Sequence, residues 1–437
     1  PVSQKGKIES FVHALPFTLT QAQQKTISEI FSDLTSTTPM NRLLQGDVGS
    51  GKTVVAGIAM YLMYLSGYQS VLLSPTEILA NQHFQTLSFL FASYKLRIGL
   101  RTQKEKRGKL SDDILIGTHA LLSPKVKFPK LGFVVIDEQQ RFGVTQRATL
   151  RSKGKNPHLL SATATPIPRT IALTLFSDLD ISTLDELPVG RKSVKTWVVP
   201  ASKREKAYTW IARQITGKES SGGFQQAFII CPFIEESESL QTVKAATVEY
   251  ERLKRDIFPY LALGLLHGKM KSEEKNKVLT DFKNGTYDIL VATPVVEVGI
   301  DIPRATVMII EGAERFGLAQ LHQLRGRVGR SSQQSYCFLF SEATNEKVLK
   351  RLSLLSTTSS GPKLAEYDLA LRGPGDLYGT AQSGIFHLKI ATYADPSLFK
   401  NAKEAALFLL HKDPHLSQFP LLREKVQNYT MKEIAPD

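Results

Sequence analysis

Short aliphatic runs alternate with longer amphipathic stretches along most of this 437-residue chain. Each run is rich in leucine or β-branched residues and shows little alternation between polar and apolar positions. Such runs are typical of strands that are buried on both faces of a parallel sheet. They lie at 42–46, 70–75, 113–118, 133–138, 158–163, 194–199, 226–232, 261–266, 287–293, 306–311 and 335–340.

The stretches between these runs are long enough for the helices that connect neighbouring parallel strands. They cover 77–93, 202–216, 240–256 and 272–283. The alternation pauses at LPVGRKS (187–193), where proline, glycine and like charges are typical of a linker. The pattern therefore predicts two tandem α/β domains, each built on a parallel sheet.

The strand rhythm stops after the second of these domains. Helical stretches are indicated near 345–355 and 399–411, on either side of the turn-rich segment RGPGDLYG at 372–379. We therefore expect two α/β domains followed by a smaller, mainly helical C-terminal segment, with bounds at 1–190, 191–345 and 346–437.

Composition narrows the class of protein. Hydrophobic residues make up 42% of the chain and charged residues 22%, which fits a soluble globular protein and argues against bulk disorder. The formal net charge of +14 indicates a polyanionic partner, either nucleic acid or an anionic membrane, unless the basic surface is merely solvated.

The sequence offers no sign of a disulfide framework, a zinc site or a membrane segment. Cys231 and Cys337 lie in short apolar runs and are expected to be buried thiols. The longest apolar stretch, Val54 to Leu65, is shorter than the roughly 20 residues that cross a bilayer, and the N-terminus has no apolar signal core. We expect a cytoplasmic protein that does not enter a membrane. Because the chain begins without an initiator Met, we also expect it to be part of a longer one.

The segment GDVGSGKT (46–53), hereafter the phosphate loop, matches the pattern GxxxxGK[ST] between an apolar run and an apolar helix-like stretch. Its glycines let backbone N–H groups surround phosphates, and the N-terminus of the next helix favours negative charge. Lys52 is expected to bind the β- and γ-phosphates, and the Thr53 hydroxyl to hold Mg²⁺. A chance glycine-rich turn is the alternative. The residues predicted here to bind nucleotide are Gly46, Gly49, Ser50, Gly51, Lys52 and Thr53.

Charged residues at two other places complete the predicted chemistry. Asp137 and Glu138 end an apolar run, where the first carboxylate can bind Mg²⁺ and the second can activate water, unless the pair is only solvated. The segment QLRGRVGR (323–330) brings together several arginines, which form either a solvated face, a phosphate patch or an arginine finger. We favour the finger, supplied by Arg327 and Arg330 from the second domain, because it would link hydrolysis to domain closure.

Taken in order, these segments resemble the motor of superfamily 2 helicases, and within it the RecG family of branched-DNA translocases. This resemblance implies two RecA-like domains that use ATP and Mg²⁺. It also rests on LPFTLTQAQ (15–23), PTEILANQH (75–83), IGTHALL (116–122), IDEQQRFGVTQR (136–147), TATPIPRT (163–170), CPFIEES (231–237), ATPVVEVGIDIPRAT (292–306) and QLHQLRGRVGR (320–330).

The resemblance also implies further site residues. Gln23 would pair with the edge of the adenine base, and Phe17 would pack nearby. Two threonines in TATPIPRT would couple nucleotide to DNA, and side chains of the second domain would complete the nucleotide site. These further residues are Thr163, Thr165, Gly299, Asp301 and Gln323.

The stretch AEYDLALRGPGDLYGTAQSG (365–384) resembles the segment that the RecG family shares with the transcription-repair coupling translocase. In those proteins a helical hairpin couples ATP hydrolysis to movement on duplex DNA, and the positions carried over are Arg372 and Gln382. An ordinary glycine-rich loop is the alternative. Two positions depart from the family pattern: Gln140 replaces a histidine, with an amide that can still hydrogen-bond across the domain interface, and Ala381 replaces a common arginine.

These observations predict an ATP-dependent double-stranded DNA translocase that remodels branched DNA, such as stalled replication forks and Holliday junctions. We expect a monomer, and a chain that begins at the motor without the family's upstream wedge domain. Candidate phosphate contacts are Arg169, His119 and Lys269. The alternatives are a transcription-repair coupling motor, a DEAD-box RNA helicase, or a DNA-binding scaffold that holds ATP without hydrolysing it.

Overall fold

The computed structural model of the chain describes residues 4–165, 179–186, 192–217, 224–232, 240–294, 302–329, 333–372 and 396–433. Within them the strands form two separate sheets, as predicted. The bulk of each sheet is parallel, and the helices connect and cover the strands.

The first sheet domain contains an eight-stranded sheet of order β4-β3-β5-β2-β6-β7-β1-β8. Its described strand pairs are parallel apart from β3 and β4, which pair antiparallel at one edge. The strands are β1 Asn41–Gly46, β2 Gln69–Leu73, β3 Ile98–Arg101, β4 Lys106–Arg107, β5 Ile114–Gly117, β6 Leu131–Asp137, β7 His158–Thr163 and β8 Asp180–Leu184.

The second sheet domain contains a six-stranded sheet of order β11-β12-β10-β13-β14-β9, with parallel pairing throughout its described ladders. Its strands are β9 Lys195–Pro200, β10 Gln226–Ile230, β11 Leu263–Leu266, β12 Ile289–Ala292, β13 Ala305–Ile310 and β14 Tyr336–Ser341.

The described helices lie before, between and after these strands. They are α1 Lys5–His13, α2 Gln21–Leu34, α3 Lys52–Leu65, α4 Glu77–Leu90, α5 Val144–Arg151, α6 Arg204–Ile215, α7 Leu240–Arg252, α8 Ser272–Asn284, α9 Leu318–Arg325, α10 Glu346–Thr357, α11 Gly361–Arg372, α12 Pro396–Lys412 and α13 Pro420–Glu433. In this part of the chain we find no helix with the length and apolarity needed to span a membrane.

The sequence of α3 explains why this helix lies at the centre of the first domain. It is apolar on all sides, and its residues from Val55 to Met63 are buried. Helix α2, in contrast, is amphipathic and begins with a capping box, in which Thr20 and Gln23 each accept a hydrogen bond from the backbone N–H of the other. The capping box fixes Gln23 next to the start of α3.

The order of the first sheet positions the predicted site. Strands β6, β7 and β1 are neighbours and run in parallel, so their carboxyl ends meet at one edge of the sheet. Asp137 is the last residue of β6, Thr163 the last of β7, and Gly46 the last of β1. Side chains from distant parts of the sequence therefore come together above this edge.

The predicted strands and helices agree closely with the observed ones. Every predicted run lies on an observed strand whose ends differ from it by at most two residues. The helices predicted near 345–355 and 399–411 are α10 and α12. Both cysteines are buried free thiols, and burial raises the pKa of each to about 12.

Strands β3, β4 and β8 were missed because none of them is a continuous apolar run. Strand β4 is the exposed pair Lys106 and Arg107, and β8 is an edge strand that alternates between exposed and buried residues. Most of the predicted linker at 187–193 and nearly all of the predicted turn at 372–379 lie outside the described residues.

Candidate nucleotide site between the two sheet domains

The phosphate loop has the backbone conformation that its glycines permit. Gly49 and Gly51 have φ values of 78° and 91°, which favour glycine over residues with a Cβ atom. Gly51 is also the N-cap of α3, so that Lys52 and Thr53 are the first two residues of this helix. The loop and the helix N-terminus thus form the arrangement that binds phosphate groups.

The Lys52 ammonium is held inside the phosphate loop. Its Nζ donates to the backbone carbonyls of Gly46 at 2.7 Å and Asp47 at 3.0 Å. Burial lowers the pKa of Lys52, and the Glu138 and Asp137 carboxylates act in the opposite direction. The lysine is therefore positioned between the loop and the acidic residues.

The loop also contains a polar group that fits a phosphate oxygen. The Ser50 hydroxyl is fully buried and has no hydrogen-bond partner within the described residues. A Cβ atom on Gly46 would lie 2.6 Å from the Ser50 Oγ, so the absence of a side chain at Gly46 keeps this space open. Buried hydroxyls usually have partners, and a bound anion would supply one here.

Asp137 takes part in a hydrogen bond that no sequence pattern indicates. His83 in α4 places its Nε2 2.8 Å from the Asp137 Oδ2. Burial acts to raise the pKa of Asp137, but the hydrogen bond and charge of His83, together with Lys52, hold it below its ordinary value. Asp137 is thus kept ionised, which is the state that binds a divalent cation.

Glu138 has a backbone φ of 51°, an uncommon value for a residue with a side chain. Its carboxylate accepts a hydrogen bond from the Gln140 amide at 2.7 Å, and the same amide donates to the Thr165 hydroxyl at 2.9 Å. The Thr163 hydroxyl donates to the Gln140 carbonyl oxygen at 3.2 Å and accepts from the Thr165 backbone N–H. The candidate base is therefore fixed by a hydrogen-bonded network.

The second sheet domain joins this network through Gln323. Its amide donates to the Thr165 hydroxyl at 2.7 Å, so Thr165 lies between Gln140 and Gln323. The expectation that Gln140 itself hydrogen-bonds across the domain interface is therefore wrong in detail. Gln140 is too close to Glu138 and the threonines of its own domain, and Gln323 makes the contact between domains.

Arg327 lies close to the phosphate loop. It is only 3% exposed, and its charge acts to lower the pKa of Lys52. The neighbouring Gly326 packs against Val48 so closely that a Cβ atom on this glycine would lie 3.1 Å from the valine Cβ. The two domains thus meet directly over the phosphate loop.

Of the other predicted site residues, the structure places Gln23 against the phosphate loop. Gln23 is buried, and its amide donates to the Ser50 carbonyl at 2.8 Å while its oxygen accepts from Thr20, so its described contacts are to the protein backbone. Phe17 is 44% exposed, and Arg372 is the last residue of α11. Gly299, Asp301, Arg330 and Gln382 lie outside the described residues.

Three protein families match consecutive parts of the chain. The DEAD/DEAH box helicase family matches residues 20–174, and the helicase conserved C-terminal domain matches residues 209–332. The family described as ATP-dependent DNA helicase RecG, domain 3, C-terminal matches residues 358–434.

The chain is also similar to several full-length proteins. It is 48% identical to the ATP-dependent DNA helicase RecG of Synechocystis sp., with 97% of this chain and 51% of that protein covered. It is 47% identical to the ATP-dependent DNA helicase RecG of Thermotoga maritima, with 92% of this chain and 52% of that protein covered. The chain therefore spans about half the length of these relatives.

A solved structure agrees with this similarity. The structure of RecG bound to a three-way DNA junction is 43% identical to this chain, with a TM-score of 0.75. It covers 91% of this chain, which in turn covers 52% of that one. With the three family matches and the two curated relatives, this likeness shows that the chain belongs to the RecG family of ATP-dependent DNA helicases.

Proposed function

We propose that this chain is the motor of an ATP-dependent DNA translocase that acts on branched double-stranded DNA, such as stalled replication forks and Holliday junctions. The observation that carries this proposal is the hydrogen-bonded network that runs from Glu138 through Gln140 and Thr165 to Gln323 of the second sheet domain. Arg327 of the same domain lies close enough to Lys52 for its charge to add to the effect of burial, which lowers the pKa of this lysine. A site that needs both domains can link hydrolysis to their relative movement.

Each acidic and basic residue of the site has a distinct role in this proposal. Lys52 leaves the carbonyls of Gly46 and Asp47 to bind the phosphates, which the adjacent Ser50 hydroxyl and the N-terminus of α3 also contact. Glu138, held by Gln140, takes the proton of the attacking water.

Thr53 and Asp137 would hold Mg²⁺, which when bound neutralises charge on the phosphates. His83 keeps the Asp137 carboxylate oriented and ionised. Mg²⁺ typically keeps several waters and takes only one or two protein ligands, so this small donor set suits it.

The second sheet domain contributes positive charge to the reacting phosphate. Within the described residues, Arg327 is the candidate arginine finger. We propose Arg330 as a second arginine that acts with it. Gln323 joins Thr165 and places α9 against the first sheet domain, so that closure brings Arg327 to the site. Gly299 and Asp301 are proposed to complete the nucleotide site on this side, with Gln23 and Phe17 on the adenine side.

We propose branched DNA as the partner on two grounds, the net charge of this chain and the solved complex of a related RecG. The net charge of +14 favours a polyanion, and the RecG of the solved complex is bound to a three-way DNA junction. His119 and Lys269 are exposed candidates for contacts with DNA phosphates, and Arg169 is a third. Arg372 and Gln382 are proposed to couple hydrolysis to movement, by a monomer that works in the cytoplasm.

The proposal is tested by replacing Lys52 with Ala and measuring phosphate release with and without branched DNA. Lys153→Ala is a matched control, because the Lys153 Nζ also donates to two backbone carbonyls, of Ser123 and Val126, and burial also lowers the pKa of Lys153. We expect Lys52→Ala to lose DNA-stimulated turnover and Lys153→Ala to keep it. If Lys52→Ala hydrolyses ATP at a rate within a few-fold of the parent, the phosphate loop is not the site of ATP hydrolysis.

A second substitution separates hydrolysis from nucleotide binding. Glu138→Gln removes the base and keeps Asp137, so the protein should still bind nucleotide but should hydrolyse it at least about 100-fold more slowly. If the parent binds ATP but hydrolyses none in the presence of branched DNA, the chain is a scaffold and not a motor.

A further inference from the structure

Asp47 in the phosphate loop is held by a histidine of the second sheet domain. The Nε2 of His322 lies 2.8 Å from the Asp47 Oδ1, although 275 residues separate the two positions. On the other side of the ring, the Arg325 guanidinium lies 2.8 Å from the His322 Nδ1. A guanidinium has only donors, so Nδ1 must accept, and Nε2 carries the proton that is donated to Asp47.

Arg325 continues this chain of contacts to the end of α10. Its guanidinium donates to the carbonyls of Leu355 at 2.6 Å and Thr358 at 3.1 Å, and to that of Ser359 at 3.4 Å. Arg325 is 6% exposed, as is His322, so both side chains are buried with their polar groups in use. Hydrogen bonds to buried charged groups are strong and directional.

A second contact reaches Asp47 from the same segment. The backbone N–H of Gly361, the first residue of α11, donates to the Asp47 carboxylate. Burial acts to raise the pKa of Asp47, but His322 and then Lys52 and this N–H hold it below its ordinary value. The phosphate loop is therefore tied to residues 355–361 both directly and through the two side chains.

Residues 355–361 connect α10 to α11 near the start of the C-terminal segment. The RecG-specific family match begins at residue 358, and α11 ends at Arg372, which we propose to couple hydrolysis to movement. A cavity of about 340 Å³ borders this segment, and its lining includes Asp47, His322, Arg325 and residues 355–359, together with residues 192–196. The segment thus has space to shift when its contacts change.

We propose that Asp47, His322 and Arg325 form a positioning relay that transmits the state of the phosphate loop to residues 355–361 and so to α11. The relay rests on the proposed function, and it starts at the loop because Lys52 donates to the Asp47 carbonyl. When Lys52 turns to the phosphates, it releases this carbonyl, and the change at Asp47 passes through His322 and Arg325. None of the three is assigned to the chemical step.

Two substitutions of His322 break the relay at different links. His322→Gln keeps an amide donor in reach of Asp47 but offers Arg325 no acceptor in the Nδ1 position. His322→Asn keeps an acceptor for Arg325 but cannot reach Asp47. Arg325→Gln removes the last link, and Arg351→Gln is its matched control, because Arg351 also donates to two backbone carbonyls, of Phe316 and Glu314.

The functional test measures ATP turnover and displacement of the third strand from a DNA triplex by the full chain. We expect the two His322 variants and Arg325→Gln to keep turnover within a few-fold of the parent, while displacement per ATP falls about fivefold or more. Arg351→Gln should keep the parental ratio. If displacement per ATP stays within about twofold of the parent in all three relay variants, the relay is wrong.

A structural test does not depend on hydrolysis. Hydrogen exchange of the amides in 353–361 is compared with and without a non-hydrolysable ATP analogue, and we expect the analogue to change it in the parent but not in His322→Asn. If saturating analogue leaves exchange in the parent unchanged, the relay is overturned even where a variant fails to fold. Failure of the proposed function looks different, because then Lys52→Ala would hydrolyse ATP normally.

Discussion

Replacing Gly51 with Ala tests whether the phosphate loop has the conformation described above. Gly51 has a φ of 91°, and a Cβ atom there would overlap the amide nitrogen of Gln23. Alanine in a left-handed conformation costs about 1–2 kcal/mol. Displacing the Gln23 amide also breaks its 2.8 Å hydrogen bond with the Ser50 carbonyl, which adds about 0.5–1.5 kcal/mol. The free energy of unfolding should therefore fall by about 1.5–3.5 kcal/mol.

The chain contains matched controls for each part of this sum. Gly67, just beyond the other end of α3, has a φ of 79° and no atom within 4 Å of the place that a Cβ would take, so Gly67→Ala measures conformational strain alone, about 1–2 kcal/mol. Gly143, with a φ of −68° and the same open surroundings, should tolerate Ala with little change. Combining Gly51→Ala with Gln23→Ala removes the overlap, so in that background Gly51→Ala should cost no more than Gly67→Ala.

Urea unfolding provides the assay. Far-UV circular dichroism follows the whole chain, whereas the only two tryptophans, Trp197 and Trp210, lie in the second sheet domain and report on that domain by fluorescence. With a slope of about 1–3 kcal/mol per molar urea, Gly51→Ala should move the transition seen by circular dichroism by about 1 M, and the fluorescence transition by less. Equal effects of Gly51→Ala and Gly67→Ala, or no relief from Gln23→Ala, would refute the reasoning.

Three further predictions concern turnover. Gln140→Leu should lower the maximal rate of ATP turnover about tenfold, because it removes the hydrogen bond that fixes Glu138. Gln140→His should retain most of the parental rate, and a rate for the Leu variant within twofold of the parent would contradict the prediction. His83→Ala should raise the Mg²⁺ concentration for half-maximal turnover about 10–100-fold, because Asp137 loses its partner, while His13→Ala at an exposed position should not. Arg327→Ala should reduce turnover at least about 100-fold without weakening nucleotide binding to the same extent, which a titration with a fluorescent ATP analogue can check.

Most of the architecture could be predicted from the sequence because buried parallel strands are continuous apolar runs. The phosphate loop could be placed because its residues are contiguous, as could Asp137 at the end of an apolar run. Strand β8 could not be predicted, because an edge strand that is half exposed has no such pattern.

Contacts between distant segments could not be predicted from the sequence either. His83 lies on a helix whose sequence has no metal-binding pattern, and only the fold brings it to Asp137. Asp47 and His322 pair across 275 residues. Both lie in motifs that the sequence analysis singled out, but the motifs do not indicate which of their side chains meet. Gln140 was expected to form hydrogen bonds, and it does, but its partners lie in its own domain and not across the domain interface. The sequence does not show how far a side chain reaches, and this reach determines its partners.

The contacts that join the two sheet domains determine how easily they separate. In the described residues they include the bonds from His322 to Asp47 and from Gln323 to Thr165, and the exposed ion pair of Lys104 and Glu273. A neutral hydrogen bond contributes about 0.5–1.5 kcal/mol, one to a charged group such as the Asp47 carboxylate about 1.5–3 kcal/mol, and an exposed ion pair at most about 1 kcal/mol. These contacts together therefore favour closure by only a few kcal/mol.

A preference of this size is small enough for a bound ligand to reverse it. A ligand that prefers one arrangement by about 5.5 kcal/mol is enough to turn a 1:99 mixture into a 99:1 mixture. Under the proposed function, that ligand is a triphosphate held from both sides. Losing one charged phosphate could then reverse the ratio. A motor needs this reversibility, because an interface held as tightly as a hydrophobic core would close once and never reset.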